Sequence, residues 1–259
     1  MRCKSMVGAA LFGALMAPGA SFAASFLVAS GDSTFINIGS EGGNRFLTNL
    51  IGGGSNVVAQ DGLNSFFNGE VDGFYGGLAG VSYSAIGPTA SIGPKRLAGQ
   101  DLFVSVQPAN DFTPAEAMAL GSFLDGGGNV FVAGEYDVPS EPGNADRVAA
   151  TASVNGLLSQ LGSAMRIQSG GFDESGSETA NGPLAANALT AGITSFDYGY
   201  AAPVEGGKTL FTTADSETPF IASEAYETSD TPKIPAPPAL LLLASGAAAL
   251  RWVGARSAA

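Results

Sequence analysis

The chain has 259 residues, room for one large domain or two small ones, with 45% hydrophobic residues, 37 glycines, 23 acidic against 11 basic residues, and no histidine. Without histidine there is no imidazole base for neutral pH, no Ser-His-Asp triad and no His-bound zinc. A formal charge of −12 also excludes the basic footprint that a nucleic-acid partner requires.

The first 23 residues have the pattern of a secretory signal. Arg2 and Lys4 form a positive start, residues 6–16 are apolar, and Ser21 and Ala23 are small residues at the two positions a signal peptidase reads. Cleavage is expected between Ala23 and Ala24. Cys3, the one cysteine, leaves with this segment, so the exported part has no disulfide, thiol nucleophile or Cys-ligated metal. Four of the 11 basic residues, and no acidic ones, lie in the two terminal segments; the body between them carries a formal charge of −16.

Residues 25–30 (SFLVAS) predict a buried strand ending at Gly31. GDST follows at 31–34, where GDSL-type esterases place a nucleophilic serine. That chemistry needs a base, normally histidine, and a strand-to-helix turn accounts for the same residues. Residues 42–51 place Phe46, Leu47, Leu50 and Ile51 at helical spacing, and 56–60 predict a second strand: a β-α-β beginning that favours a parallel sheet. Residues 61–98 show neither period clearly before a stretch at 81–86. Their aromatics Phe66, Phe67, Phe74, Tyr75 and Tyr83 suit a core, or a surface that stacks on sugars.

The centre is the plainest stretch. A strand at 101–106 (DLFVSV) precedes Thr113-Pro114-Ala115-Glu116, an N-cap, a proline at N1 and a glutamate closing a capping box. Ala117, Leu120, Phe123 and Leu124 share one face of that helix, Gly126 ends it, and 129–133 (NVFVA) predict the next strand. Strand, capped helix and strand make a βαβ crossover. A second helix is expected over 145–161 and a strand over 163–168. Residues 169–181 read as a mobile loop, and 194–200, 209–213 and 220–226 as three strands in hairpin-like succession.

DLFVSVQPANDFTPAEAMALGSFLDGGGNVFVAGE, with SVNGLLSQLGSAMRI and NALTAGITSFDYGYA, resembles the core of the class I glutamine-amidotransferase-like superfamily over residues 101–201. The resemblance implies an α/β, flavodoxin-like fold over residues 24–226: a mainly parallel sheet with flanking helices and short antiparallel strands near the C-terminus. Amidotransferase members carry a cysteine on the turn after the strand that here ends at Ala133. This chain has Gly134-Glu135-Tyr136 there, and Asn187 where relatives often have a histidine, which argues against glutaminase chemistry.

In such a sheet the strand ends gather on one rim, bringing together Asp32, Ser33, Gln107, Asn110, Glu135 and Tyr136, of which Asp32, Ser33, Asn110 and Glu135 are the candidate ligand rim. An Asp32–Glu135 pair could bind Ca²⁺ or act on a glycan; a polar rim without a ligand explains the same residues. No catalytic residue and no resident cofactor or metal is assigned.

After a polar linker at 227–233 the chain ends in IPAPPALLLLASGAAALRWVGARSAA. The uncharged block at 239–250 would make a helix of about 18 Å, short of a hydrocarbon core of about 30 Å. Ile234, Pro235, Ala236 and Pro237, then the apolar block, Arg251 and Arg256, resemble the PEP-CTERM class of sorting signals in its VPLPA variant, over 234–256. The resemblance implies an inner-membrane intermediate in a Gram-negative bacterium, recognition by an exosortase and release to the surface. The expected protein is thus an exported surface or matrix protein, handled by signal peptidase and exosortase, and a binding module for an extracellular glycan or a partner at the envelope. The alternative is a carboxylate-dependent hydrolase of polysaccharide.

Overall fold

A computed structural model describes residues 24–136, 143–171, 177–183 and 186–226. The expected signal segment at 1–23, linker at 227–233 and sorting segment at 234–256 lie outside these.

Seven strands form one twisted sheet in the order β10-β11-β1-β5-β4-β2-β3. Its parallel part is β1 (Ser25–Ser30), β2 (Asn56–Gln60), β3 (Ser82–Ile86), β4 (Leu102–Val106) and β5 (Asn129–Ala133). The fold is the expected α/β, flavodoxin-like one. Read from the β3 edge, the parallel order β3-β2-β4-β5-β1 is the flavodoxin-like 2-1-3-4-5 with the chain's first strand in the fifth place. The expected β-α-β start therefore spans the sheet: β1 and β2 are parallel but have β5 and β4 between them.

The strand sequences are apolar on both sides because both faces are covered. Successive residues alternate between two cores. Val28, Val57, Ala59, Val104 and Phe131 face one core, together with α1 (Thr34–Ile38), α2 (Glu41–Leu50) and α3 (Ser65–Gly77). Leu27, Ala29, Val58, Phe103, Val130 and Val132 face the other, with α4 (Pro94–Leu97), α5 (Pro114–Asp125) and α6 (Asn144–Gln160). The first core centres on phenylalanines: Phe46 meets Phe35, Phe131, Phe196 and Phe211 edge-on at 5.7–6.3 Å between centroids.

Local signals place the helices as read. The Thr113 hydroxyl accepts from Glu116 N at 3.3 Å and Glu116 Oε2 accepts from Thr113 N at 2.9 Å, the expected capping box. Glu116 Oε1 also accepts from Ile92 N, tying the loop before α4 to α5. Ser40 caps α2 through Gly43 N.

The unread stretch at 61–98 contains α3. Asn64 caps it through Phe66 N at 3.0 Å, and it buries Phe67, Val71 and Tyr75 at four-residue spacing. Glycines at 69, 73, 76 and 77 dilute that pattern, since glycine disfavours a helix interior.

Of the three strands expected at the end, two form a hairpin on the sheet edge, β10 (Lys208–Thr212) and β11 (Pro219–Tyr226), with β11 antiparallel to β1. The third, β8 (Asp197–Tyr198), pairs instead with β7 (Glu178–Thr179) in a separate ribbon. The loop expected at 169–181 thus holds a strand, and its residues 172–176 lie outside the described residues. The strand expected at 163–168 is the short β6 (Arg166–Ile167), paired with β9 (Val204–Glu205). Among the described residues no helix is long and apolar enough to cross a membrane; the block at 239–250 is not among them.

Candidate functional site

The C-terminal ends of β1, β2, β4 and β5 and the turns that follow them converge at one end of the sheet. Strand order reverses around β2 and β4, which opens a crevice there. β1 ends against residues 199–202. A Cβ on Gly31 would lie 2.0 Å from Ala202 O, so only glycine permits the Ala202 N–H to reach Gly31 O at 2.9 Å.

Asp32 follows and is fully buried. Its Oδ1 accepts from Thr34 N at 2.5 Å and from the Thr34 hydroxyl, and its Oδ2 accepts from Gly199 N at 3.1 Å. The carboxyl therefore clamps the β1–α1 turn to the 199–202 segment. Burial pushes its pKa up to about 6, against the pull of those hydrogen bonds.

Ser33 occupies the N-cap position of α1 without capping it. Its hydroxyl donates instead to Glu135 Oε2 and accepts from Gln107 Nε2 at 2.9 Å. Glu135, just beyond β5, also accepts from Gln107 Nε2 at 2.9 Å and from Tyr136 N at 3.1 Å. The Thr151 hydroxyl on α6 fixes its backbone, accepting from Glu135 N at 3.1 Å and donating to Glu135 O at 3.0 Å. Gly134 makes this close approach feasible, since a Cβ there would lie 2.8 Å from Thr151 Oγ1. Burial, reinforced by the charge of Asp32, pushes the Glu135 pKa up to about 8.

Gln107 has φ of +48°, one of two non-glycine residues with positive φ among those described. That backbone costs on the order of 1 kcal/mol. Its amide donates to Ala133 O while Leu63 N donates to its carbonyl, so both neighbouring strand ends hold the strained residue in place.

Gln107, Glu135 and Thr34 line a cavity of about 450 Å³. One wall is a ladder of three side chains. The Tyr136 and Tyr200 rings stack at 4.8 Å, the Arg147 guanidinium lies 4.5 Å from the Tyr136 ring centre, and an Arg147 Nη donates to the Tyr136 hydroxyl at 2.7 Å. Asn64, Ser65 and Phe67, at the start of α3, form the opposite side with Leu63. Leu63, one of the four large hydrophobics exposed among the described residues, is 42% exposed. A groove of about 490 Å³ beside α5 and one of about 410 Å³ at the other end of the strands are of similar size. Neither has such a set of buried, hydrogen-bonded polar groups.

Of the four rim candidates, the structure brings three together. Glu135 lines the cavity; Asp32 and Ser33 sit behind it, fully buried. Asn110 lies elsewhere, donating to Pro88 O and accepting at its carbonyl from the Ser153 hydroxyl. Among the described residues no group of three or more carboxylate, cysteine or histidine side chains could hold a metal ion. Tyr200, Arg147 and Asn64 were not singled out by sequence. Tyr200 reaches the site only because residues 199–202 pack against β1, and no local pattern signals that. No family model, curated protein or solved structure matches the chain, so the site's chemistry rests on its own geometry.

Proposed function

We propose that this is an exported surface or matrix protein whose α/β domain binds an extracellular glycan in the cavity at the strand ends. On this reading the domain belongs with the amidotransferase-like proteins in fold but not in chemistry. Its termini are a signal segment cut between Ala23 and Ala24 and an exosortase-processed sorting segment at 234–256. The observation that carries the binding reading is the form of the cavity: stacked tyrosines, buried polar groups, and an exposed Leu63 among its lining residues. Flat rings beside fixed polar groups suit a sugar, which offers an apolar ring face and a rim of hydroxyls.

Binding rather than turnover is supported by the burial of Ser33, whose hydroxyl is occupied by Glu135 and Gln107. The raised pKa of Glu135 is the observation that favours a hydrolase instead, since a carboxyl protonated near neutral pH suits a general acid. Asp32 does not line the cavity, so such an enzyme would work through Glu135 without the expected carboxylate partner.

The test is calorimetric titration of the purified protein with oligosaccharides cut from the host's own exopolysaccharide. Binding without release of smaller products is expected, weakened about tenfold or more in Tyr200→Ala. Product release lost in Glu135→Gln would establish the hydrolase; absence of binding would refute the glycan reading.

A further inference from the structure

The Glu135 carboxyl receives hydrogen bonds, among the described residues, from neutral donors: the Ser33 hydroxyl, the Gln107 amide and Tyr136 N. The charged and titratable groups around it come from three further places. Asp32 stands behind it on the β1–α1 turn, Asp146 and Arg147 line the cavity from α6, and Tyr136 and Tyr200 form the wall. The β2–α3 loop and the end of β4 contribute Leu63, Asn64, Ser65, Phe67 and Gln107, none of which titrates. Three carboxyl groups thus stand against one guanidinium, and that guanidinium is held over the Tyr136 ring.

An ionised carboxylate in such a place lacks a counter-charge, and burial makes that costly. A cation entering the cavity would supply the missing charge beside an aromatic surface, a pairing that favours ammonium groups. We propose that the cavity selects ligands bearing a protonated primary amine, set against the Glu135 carboxylate with Tyr200 beside the carbon frame. The inference rests on the glycan reading, and the ligand class it names is an amino sugar with a free amine.

Proton linkage follows from the geometry. The carboxyl is mostly protonated at pH 7 in the empty site, and the ammonium draws it into the ionised form. A sugar amine itself begins to lose its proton near neutral pH, so binding should release close to one proton at pH 5.5, where the amine is still charged, and affinity should rise from pH 5 toward neutral.

The test uses the full chain, titrated calorimetrically at pH 5.5 with short β-1,4-linked glucosamine oligomers and their N-acetylated counterparts. Each titration is run in two buffers of different ionisation heat. Free-amine oligomers should bind about tenfold tighter or more, with proton release, and Glu135→Gln should abolish both the preference and the release. Equal affinity for the two forms would overturn amine selection and leave the glycan reading standing. A preference without proton release, or one retained in Glu135→Gln, would trace to the acidic surface and also overturn it. If neither form binds, amine selection falls, and the host-oligosaccharide titration shows whether the glycan reading falls with it. The wild-type comparison decides the matter even if Glu135→Gln does not fold.

Discussion

Glu135 is a buried carboxyl at the wall of the cavity, where the charge of Asp32 repels its own. Its folded pKa lies above the ordinary value of 4.5, so the sign of its effect on stability is fixed. Below the ordinary pKa both the folded and unfolded chains are protonated and nothing is lost. As pH rises, the unfolded chain releases its proton first, and the fold loses stability until about pH 8. Asp32 acts in the same direction over a lower range, up to about pH 6. Glutamine cannot ionise, so Glu135→Gln should gain stability relative to the wild type between pH 5 and pH 8.5. A relative gain of about 1 kcal/mol or more is expected, read from urea midpoints at the two pH values. A gap that stays constant with pH would show that Glu135 titrates like an ordinary surface carboxyl.

At the level of elements, α5 and α3 are instructive opposites. In α5 the cap, proline, capping box and terminal glycine all agree, and the helix forms where its sequence says. In α3 the apolar stripe of Phe67, Val71 and Tyr75 is regular, but glycines interrupt it. Gly69 and Gly73 are exposed, have ordinary backbone angles, and would meet nothing within 4 Å if given a Cβ. Nothing in the structure requires glycine there. Gly69→Ala and Gly73→Ala should each stabilise the fold by about 0.5–1 kcal/mol, seen as a higher thermal midpoint. Because α3 begins at the cavity mouth, a firmer helix should leave glycan affinity unchanged or slightly improved. A lower midpoint in both variants would mean that the helix depends on glycine for packing.

For the whole molecule, the terminal segments make their own prediction. The chain from its native host should have an intact mass that begins at Ala24 and ends near the proline motif at 234–238. A mass that extends to Ala259 would refute C-terminal processing. If both ends are removed, the body that remains carries all 23 acidic residues, a charge that would draw cations toward it. Two kinds of information met in reading this molecule. β1, β2, β5, α2 and α5 were legible because a buried strand or an amphipathic helix writes its period into a few consecutive residues. The first strand's place beside β5 and β11 was not, because strand order is set by pairings between residues a hundred or more positions apart. Of the hairpin-like succession expected at the end, β10 and β11 form the hairpin, whereas β8 pairs with β7 before it rather than with the strand that follows.

Composition alone disposed of histidine chemistry and marked out an acidic chain. Local pattern supplied the α/β class and put Asp32, Ser33 and Glu135 at strand ends. Only the tertiary structure decided that Ser33 is tied to Glu135 and Gln107, that Asp32 is locked behind them, that Asn110 goes elsewhere, and that Tyr200 and Arg147 complete the wall. The physical reason is the range of the forces involved. Secondary structure answers to neighbours within a few residues, whereas burial and the charges that shift a carboxyl depend on whatever the whole fold brings within a few ångströms.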